Sequence, residues 1–133
     1  MKKDIMELWV KALRSGEYEQ GRGYLQHDGK FCCLGVLCEV MIDSDMPLDR
    51  QGHYNIINGE KHKIMHYGSV ELGRDQSATL PIEVMKWSDW SLSSINGAIR
   101  FGDEITTLTA LNDSGEFTFN QIADVIEYFY EDL

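Results

Sequence analysis

The sequence predicts a single α+β domain over residues 1–133. It is expected to hold a small antiparallel sheet with a central hairpin, packed by N-terminal, cysteine-segment and C-terminal helices. Three observations predict it: amphipathic helical stripes at both ends of the chain, an Asn58-Gly59 turn between two extended runs, and no linker or repeat to divide them. The 133 residues are 43% apolar and 11% aromatic, enough for one ordinary core. Only 2 prolines and 12 glycines argue against low complexity.

The first helix is expected over residues 4–14. Asp4 suits the N-cap, Ile5, Leu8, Trp9, Ala12 and Leu13 share one face, and Ser15-Gly16 supplies the stop. Residues 21–26 read as a short strand closed by the turn His27-Asp28-Gly29. A buried helix is expected over residues 32–41. Gly35 within it lowers helix stability, yet allows another backbone to approach closely. Residues 43–79 are the least regular part. Within them Tyr54-Asn55-Ile56-Ile57 and Glu60-Lys61-His62-Lys63-Ile64-Met65 flank the Asn58-Gly59 turn.

Leu80-Pro81 opens a short helix over residues 82–87, with the proline at a tolerated first-turn position. Ala98-Ile99-Arg100-Phe101 is extended between Gly97 and Gly102. From about Glu104 a helix carries Ile105, Leu108 and Leu111, with Asp103 and Glu104 complementing its positive end. It stops at Asn112-Asp113-Ser114-Gly115. Thr118 and Gln121 form a capping box for the last helix. Its apolar stripe is Phe119, Ile122, Val125, Ile126, Phe129 and Leu133.

The chain carries 12 Lys and Arg against 22 Asp and Glu, a net charge of -10. Residues 101–133 hold eight carboxylates and no Lys or Arg, so -8 of the -10 falls in the last quarter. Such a surface repels phosphate backbones and attracts basic partners, so direct nucleic-acid binding is not expected. The longest apolar run, Cys32-Cys33-Leu34-Gly35-Val36-Leu37-Cys38, is too short to cross a bilayer. Met1-Lys2-Lys3-Asp4 leads into an amphipathic segment, which predicts no signal peptide and a cytoplasmic protein.

Cys32, Cys33 and Cys38 make a poor disulfide framework and lack zinc-site spacing, so core packing is expected. His53, His62 and His66 share one face across the hairpin and could meet around a transition metal; solvated polar histidines are the plainer reading. No nucleophile elbow, P-loop or HExxH pattern occurs, so no catalytic residue, metal or cofactor is assigned.

Three stretches taken together carry a resemblance. They are Trp9-Val10-Lys11-Ala12-Leu13-Arg14-Ser15-Gly16 with Gly21 and Gly23, then the cysteine segment, then Leu111-Asn112-Asp113-Ser114-Gly115 followed by Phe119 and Ile122-Ala123-Asp124. In this order they resemble a family of small proteins encoded by tailed bacteriophages and prophages. The resemblance implies a context, an infected bacterial cell, beside genes that redirect the host or blunt its defences. It supplies no site.

Two functions of different classes follow. The first is a non-enzymatic binder or inhibitor of a host or anti-phage defence protein with a basic surface. Asp124, Glu127 and Glu131 would imitate a row of phosphates, and Trp90 would be an exposed anchor. The second is a binder of, or enzyme on, a nucleotide-derived small molecule. Arg22, Arg74 and Arg100 would hold phosphate and Tyr24 would stack; Gly21 and Gly23 would cradle a phosphate ahead of a helix, and ahead of the strand expected there they read as a turn.

Overall fold

The computed structural model describes all 133 residues. Helix α1 spans Lys3–Arg14 and buries the stripe Ile5, Met6, Trp9, Val10 and Leu13. It starts one residue earlier than the sequence suggested. Lys2 is the N-cap, its side chain caps nothing, and Asp4 sits in the first turn, where a negative charge faces the helix dipole. Helix α2, Cys33–Asp43, is the centre of the molecule; Cys33, Leu34, Val36, Leu37 and Cys38 are fully enclosed. Cys32 is its N-cap, the sulfur accepting the Gly35 N–H at 3.4 Å. The Trp9 indole donates to the Cys33 carbonyl at 2.9 Å, which fixes α1 across the start of α2.

The first sheet has five strands: β1 (Glu19–Gln20), β2 (Gln26–His27), β3 (Lys30–Phe31), β4 (Arg50–Ile57) and β5 (Glu60–Tyr67). Their order is β1-β3-β2-β5-β4. β1 runs parallel to β3 and every other pair is antiparallel, so the sheet is mixed where a purely antiparallel one was expected. Residues 21–25 are not a strand. The chain bends there so that Leu25, fully buried, turns its carbonyl to the Cys32 N–H at 3.1 Å and its own N–H to Ser77 at 2.7 Å. The chain turns between β2 and β3 at Asp28-Gly29, with His27 in β2 and not in the turn, and between β4 and β5 at Asn58-Gly59, where the sequence placed it. Asn58 and Gly59 adopt φ of 52° and 80°, the left-handed pair that suits a tightly twisted hairpin. β4 and β5 pair without interruption from Arg50 opposite Tyr67 to Ile57 opposite Glu60, further than the flanking runs implied.

Helix α3, Ile82–Ser88, follows Pro81, which is its N-cap and not a first-turn residue. A second sheet pairs β6 (Ala98–Phe101) with β7 (Glu104–Thr107). This corrects the helix expected from Glu104. A turn at Gly102, φ 61°, folds the segment back on β6, so Ile105 lies opposite Arg100 and points to solvent. Asp103 and Glu104 therefore cap no helix. The helix begins only at Leu108 (α4, Leu108–Asp113), where the Thr107 hydroxyl accepts the Ala110 N–H at 3.1 Å. Helix α5, Phe119–Phe129, opens on the Thr118–Gln121 capping box and ends in a 3₁₀ turn, Tyr130–Asp132. α5 lies along α1 and buries Phe119, Ile122, Ala123 and Ile126. The main core joins α1, α2, α3, α4 and α5 through 26 buried residues, all three cysteines among them.

Candidate functional site

The faces of α5 divide the C-terminal segment into a packed side and a working side. Phe119, Ile122 and Ile126 point into the core, which leaves Asp124, Glu127 and Tyr128 outward. The β6–β7 hairpin stands beside that outer face. Between them runs an open groove of about 610 Å³ lined by Arg100, Phe101, Gly102, Asp124, Val125, Tyr128 and Phe129. Its floor is aromatic. Phe129 meets Phe101 edge-on at 4.9 Å and Tyr128 at 4.7 Å between ring centres. Tyr128 is 81% exposed and Phe101 44% exposed, an unusual cost for rings of this size in water.

The carboxylate row is less free than its spacing suggested. Arg14 of α1 reaches across and pairs with Asp124 at 2.5 Å and with Glu127. Both acids hold the Arg14 guanidinium more firmly protonated than usual. Glu131 lies in the 3₁₀ turn beyond α5, where the Tyr130 hydroxyl donates to it at 3.3 Å. The three carboxylates are thus not one continuous helical row, and only Glu131 is free of a cation. Trp90 is a further correction. It is 4% exposed, stacks at a tilt on Trp9 at 5.9 Å, and donates from its indole to the Ser94 carbonyl at 2.6 Å. It belongs to the core; the exposed anchors are Phe101 and Tyr128. The sequence held a signal for Tyr128, a large ring beside the apolar stripe of α5 and off it. Phe101 was hidden by its short strand.

The residues offered for a nucleotide do not converge. Arg22 folds over Gly115, where a Cβ would lie 2.6 Å from its guanidinium carbon. Arg74 pairs with Glu83 at 3.4 Å, and Arg100 lines the aromatic groove. The Gly21 and Gly23 amides are already taken, by the Phe31 carbonyl at 2.6 Å and the Asp113 carboxylate at 3.1 Å. They form no phosphate cradle. Tyr24 stands against His27 at 5.8 Å and lines a cleft of about 190 Å³ with Cys32, Thr79, Asn96, Thr109 and Asp113. All three cysteines are free and buried, and burial pushes the Cys32 thiol up to about 11 and those of Cys33 and Cys38 well above their ordinary value. Such thiols are poor nucleophiles.

His53, His62 and His66 share one face of the hairpin, as their spacing indicated. His53 and His66 touch, whereas His62 is drawn to a different carboxylate. His62 Nδ1 lies 2.6 Å from Asp28, His66 Nδ1 lies 2.8 Å from Asp75, and the His53 ring packs on His66 at 4.5 Å. No group of three or more His, Cys, Asp or Glu side chains is placed to hold a metal ion. The Lys63 amide, then His62, hold the Asp28 carboxylate below its ordinary 3.8. A depressed carboxylate stabilises the fold above its unfolded value and loses that contribution as pH falls through the folded one. The β2–β5 contact is therefore expected to weaken below pH 3.8. Asp28→Asn should lack this acid-sensitive component, which amide signals of Lys63 and Ile64 followed by NMR against pH would report.

Fold and surface together define an acidic α+β domain with an exposed aromatic groove beside its C-terminal helix. Residues 1–130 match the family described as a domain of unknown function, DUF8296, and the chain belongs to that family. No curated protein and no solved structure matches it. No helix is long and apolar enough to cross a membrane.

Proposed function

We propose that this is a phage-encoded accessory protein, not an enzyme, that binds and inhibits a host or anti-phage defence protein in the bacterial cytoplasm through its acidic C-terminal surface. The observation that carries this is the exposed pair Phe101 and Tyr128 resting on half-buried Phe129, set in a segment with eight carboxylates and no Lys or Arg. A solvent-facing aromatic floor with a charged rim has the anatomy of a binding hot spot. The charged residues lining the groove are Arg100 and Asp124, and Arg14 engages Asp124 together with Glu127, so the unpaired acidic charge of the segment lies outside the groove lining, at Asp103, Glu104, Glu131 and Asp132. The phage setting rests on the resemblance of the tryptophan helix, the cysteine segment and the terminal helix.

The test is capture of a partner from host lysate on immobilised protein at low and high salt, with Tyr128→Ala and Glu131→Lys beside the wild type. A partner retained at low salt, released at high salt and bound roughly tenfold more weakly by Tyr128→Ala is expected. Both side chains are exposed, so neither change should disturb folding. Capture indifferent to both variants would overturn the reading. A nucleotide-derived ligand is the second reading, favoured by the cleft beside Tyr24. It requires a melting temperature that climbs with the logarithm of ligand concentration; a flat response to nucleotides and cyclic dinucleotides removes it.

A further inference from the structure

The five-stranded sheet has two edges of different character. One is β1, only 2 residues long; the other is β4, 8 residues long, with nothing packed outside it. The phase of its ladder follows from one bond. The Gly68 N–H donates to the Asp49 carbonyl at 2.8 Å, so by antiparallel alternation Gln51, His53, Asn55 and Ile57 bond to β5. Arg50, Gly52, Tyr54 and Ile56 turn their N–H and C=O groups outward. Tyr54 is 64% exposed and Ile56 70% exposed on the same face.

Proteins usually blunt a long free edge with proline, an inward-pointing charge or a bulge. β4 contains no proline and no lysine, and its register with β5 is unbroken. The outward row is also compatible with itself. Its one charge, Arg50, sits at an end, and the guanidinium is turned back to Glu39 of α2. An antiparallel two-fold centred on His53 sets Arg50 of one copy opposite Ile56 of the other, and Gly52 opposite Tyr54. That register pairs every outward residue and keeps the two Arg50 side chains at opposite ends. It also brings each Tyr54 ring, which carries the Lys61 ammonium of its own chain at 4.4 Å, to Gly52, where the Lys63 side chain already lies across the strand and offers the incoming ring a cation.

We infer that β4 is the seam of a symmetric dimer, in which two copies of this chain join edge to edge and form one continuous sheet. The seam is separate from the aromatic groove of α5, so a dimer would present two such grooves. The inference does not depend on what the groove binds.

The test is sedimentation equilibrium of the full chain and three variants. Tyr54→Pro removes an outward N–H that the β4–β5 ladder does not use, so the hairpin stays intact. Ile56→Arg sets like charges opposite Arg50 of the second copy; Ile56→Glu sets opposite ones. The wild type is expected to show a monomer–dimer equilibrium. Tyr54→Pro and Ile56→Arg should weaken it at least tenfold with unchanged circular dichroism, and Ile56→Glu should not weaken it. A wild type that is monomeric at every concentration reached overturns the inference. So does a dimer untouched by Tyr54→Pro and Ile56→Arg, or one weakened equally by both Ile56 variants.

Discussion

Replacing Asn112 with alanine is expected to cost the fold roughly 3–5 kcal/mol, a large share of what a domain of this size can lose. Asn112 is polar and wholly buried. Its Oδ1 accepts from the Gln20 side chain at 3.0 Å and from the Cys33 N–H at 3.3 Å, and its Nδ2 donates to the Gly21 carbonyl at 2.8 Å. One side chain thereby joins α4, the bend after β1 and the first turn of α2. Removing it strands the Cys33 N–H and the Gly21 carbonyl away from water, at about 1–3 kcal/mol for each buried group, and leaves a void besides. Asn112→Asp keeps the acceptor, loses the donor and buries a charge, so its loss at neutral pH should be at least as great. Gln20→Ala removes one end only and should cost about 1 kcal/mol. Urea unfolding would rank the three. A loss below about 1 kcal/mol for Asn112→Ala would mean that water reaches the node and satisfies what the asparagine leaves behind.

Asn112 also shows where sequence reading stops. Within Leu111-Asn112-Asp113-Ser114-Gly115 it looked like part of a helix stop, because local chemistry favours Asn at such places. Its role comes from partners 79 to 92 residues away, which no spacing reveals. What depends on neighbours in the chain was legible. The Thr118–Gln121 capping box and the Asn58-Gly59 turn are satisfied within a few residues, whereas the stripe of α1 was legible only in Ile5, Trp9 and Leu13, because Met6 and Val10 are buried and Leu8 is 47% exposed. The 104–107 segment misled for the converse reason. Ile105, Leu108 and Leu111 have helical spacing, but pairing with β6 through the Gly102 turn wins and leaves Ile105 63% exposed. The candidate site divides the same way. Asp124 and Glu127 could be placed outward from the periodicity of α5. That Arg14, 110 residues from Asp124, would engage them could not. Nor could periodicity decide which of Trp87 and Trp90, three apart, faces the core; contact with Trp9 decides for Trp90.

Gly35→Ala is expected to destabilise the protein by about 2–4 kcal/mol, although it puts the best helix former into a helix. Two effects oppose one another. Alanine in place of glycine inside α2 favours the helix by about 1 kcal/mol. Against that, a Cβ at Gly35 would lie 2.6 Å from the Leu25 carbonyl carbon and 3.2 Å from its Cα, and closer still to its oxygen. These are backbone atoms, and they are pinned. The Leu25 carbonyl accepts the Cys32 N–H at 3.1 Å, its N–H donates to Ser77 at 2.7 Å, and its side chain is fully buried. Relief requires α2 to lift off the 21–25 bend, which would open the core around Leu34 and Cys38 and stretch the Asn112 bonds on the same segment. Overpacking of this kind costs about 1–3 kcal/mol where side chains can yield, and more where only backbone can. The clash therefore outweighs the propensity. Because Asn112 and Gly35 secure the same crossing of α2 over the bend, the Asn112→Ala, Gly35→Ala double variant should lose less than the sum of the two single losses. Urea unfolding of the four proteins decides it: a Gly35→Ala protein as stable as the wild type, or strict additivity, would show that α2 and the bend are free to move apart independently.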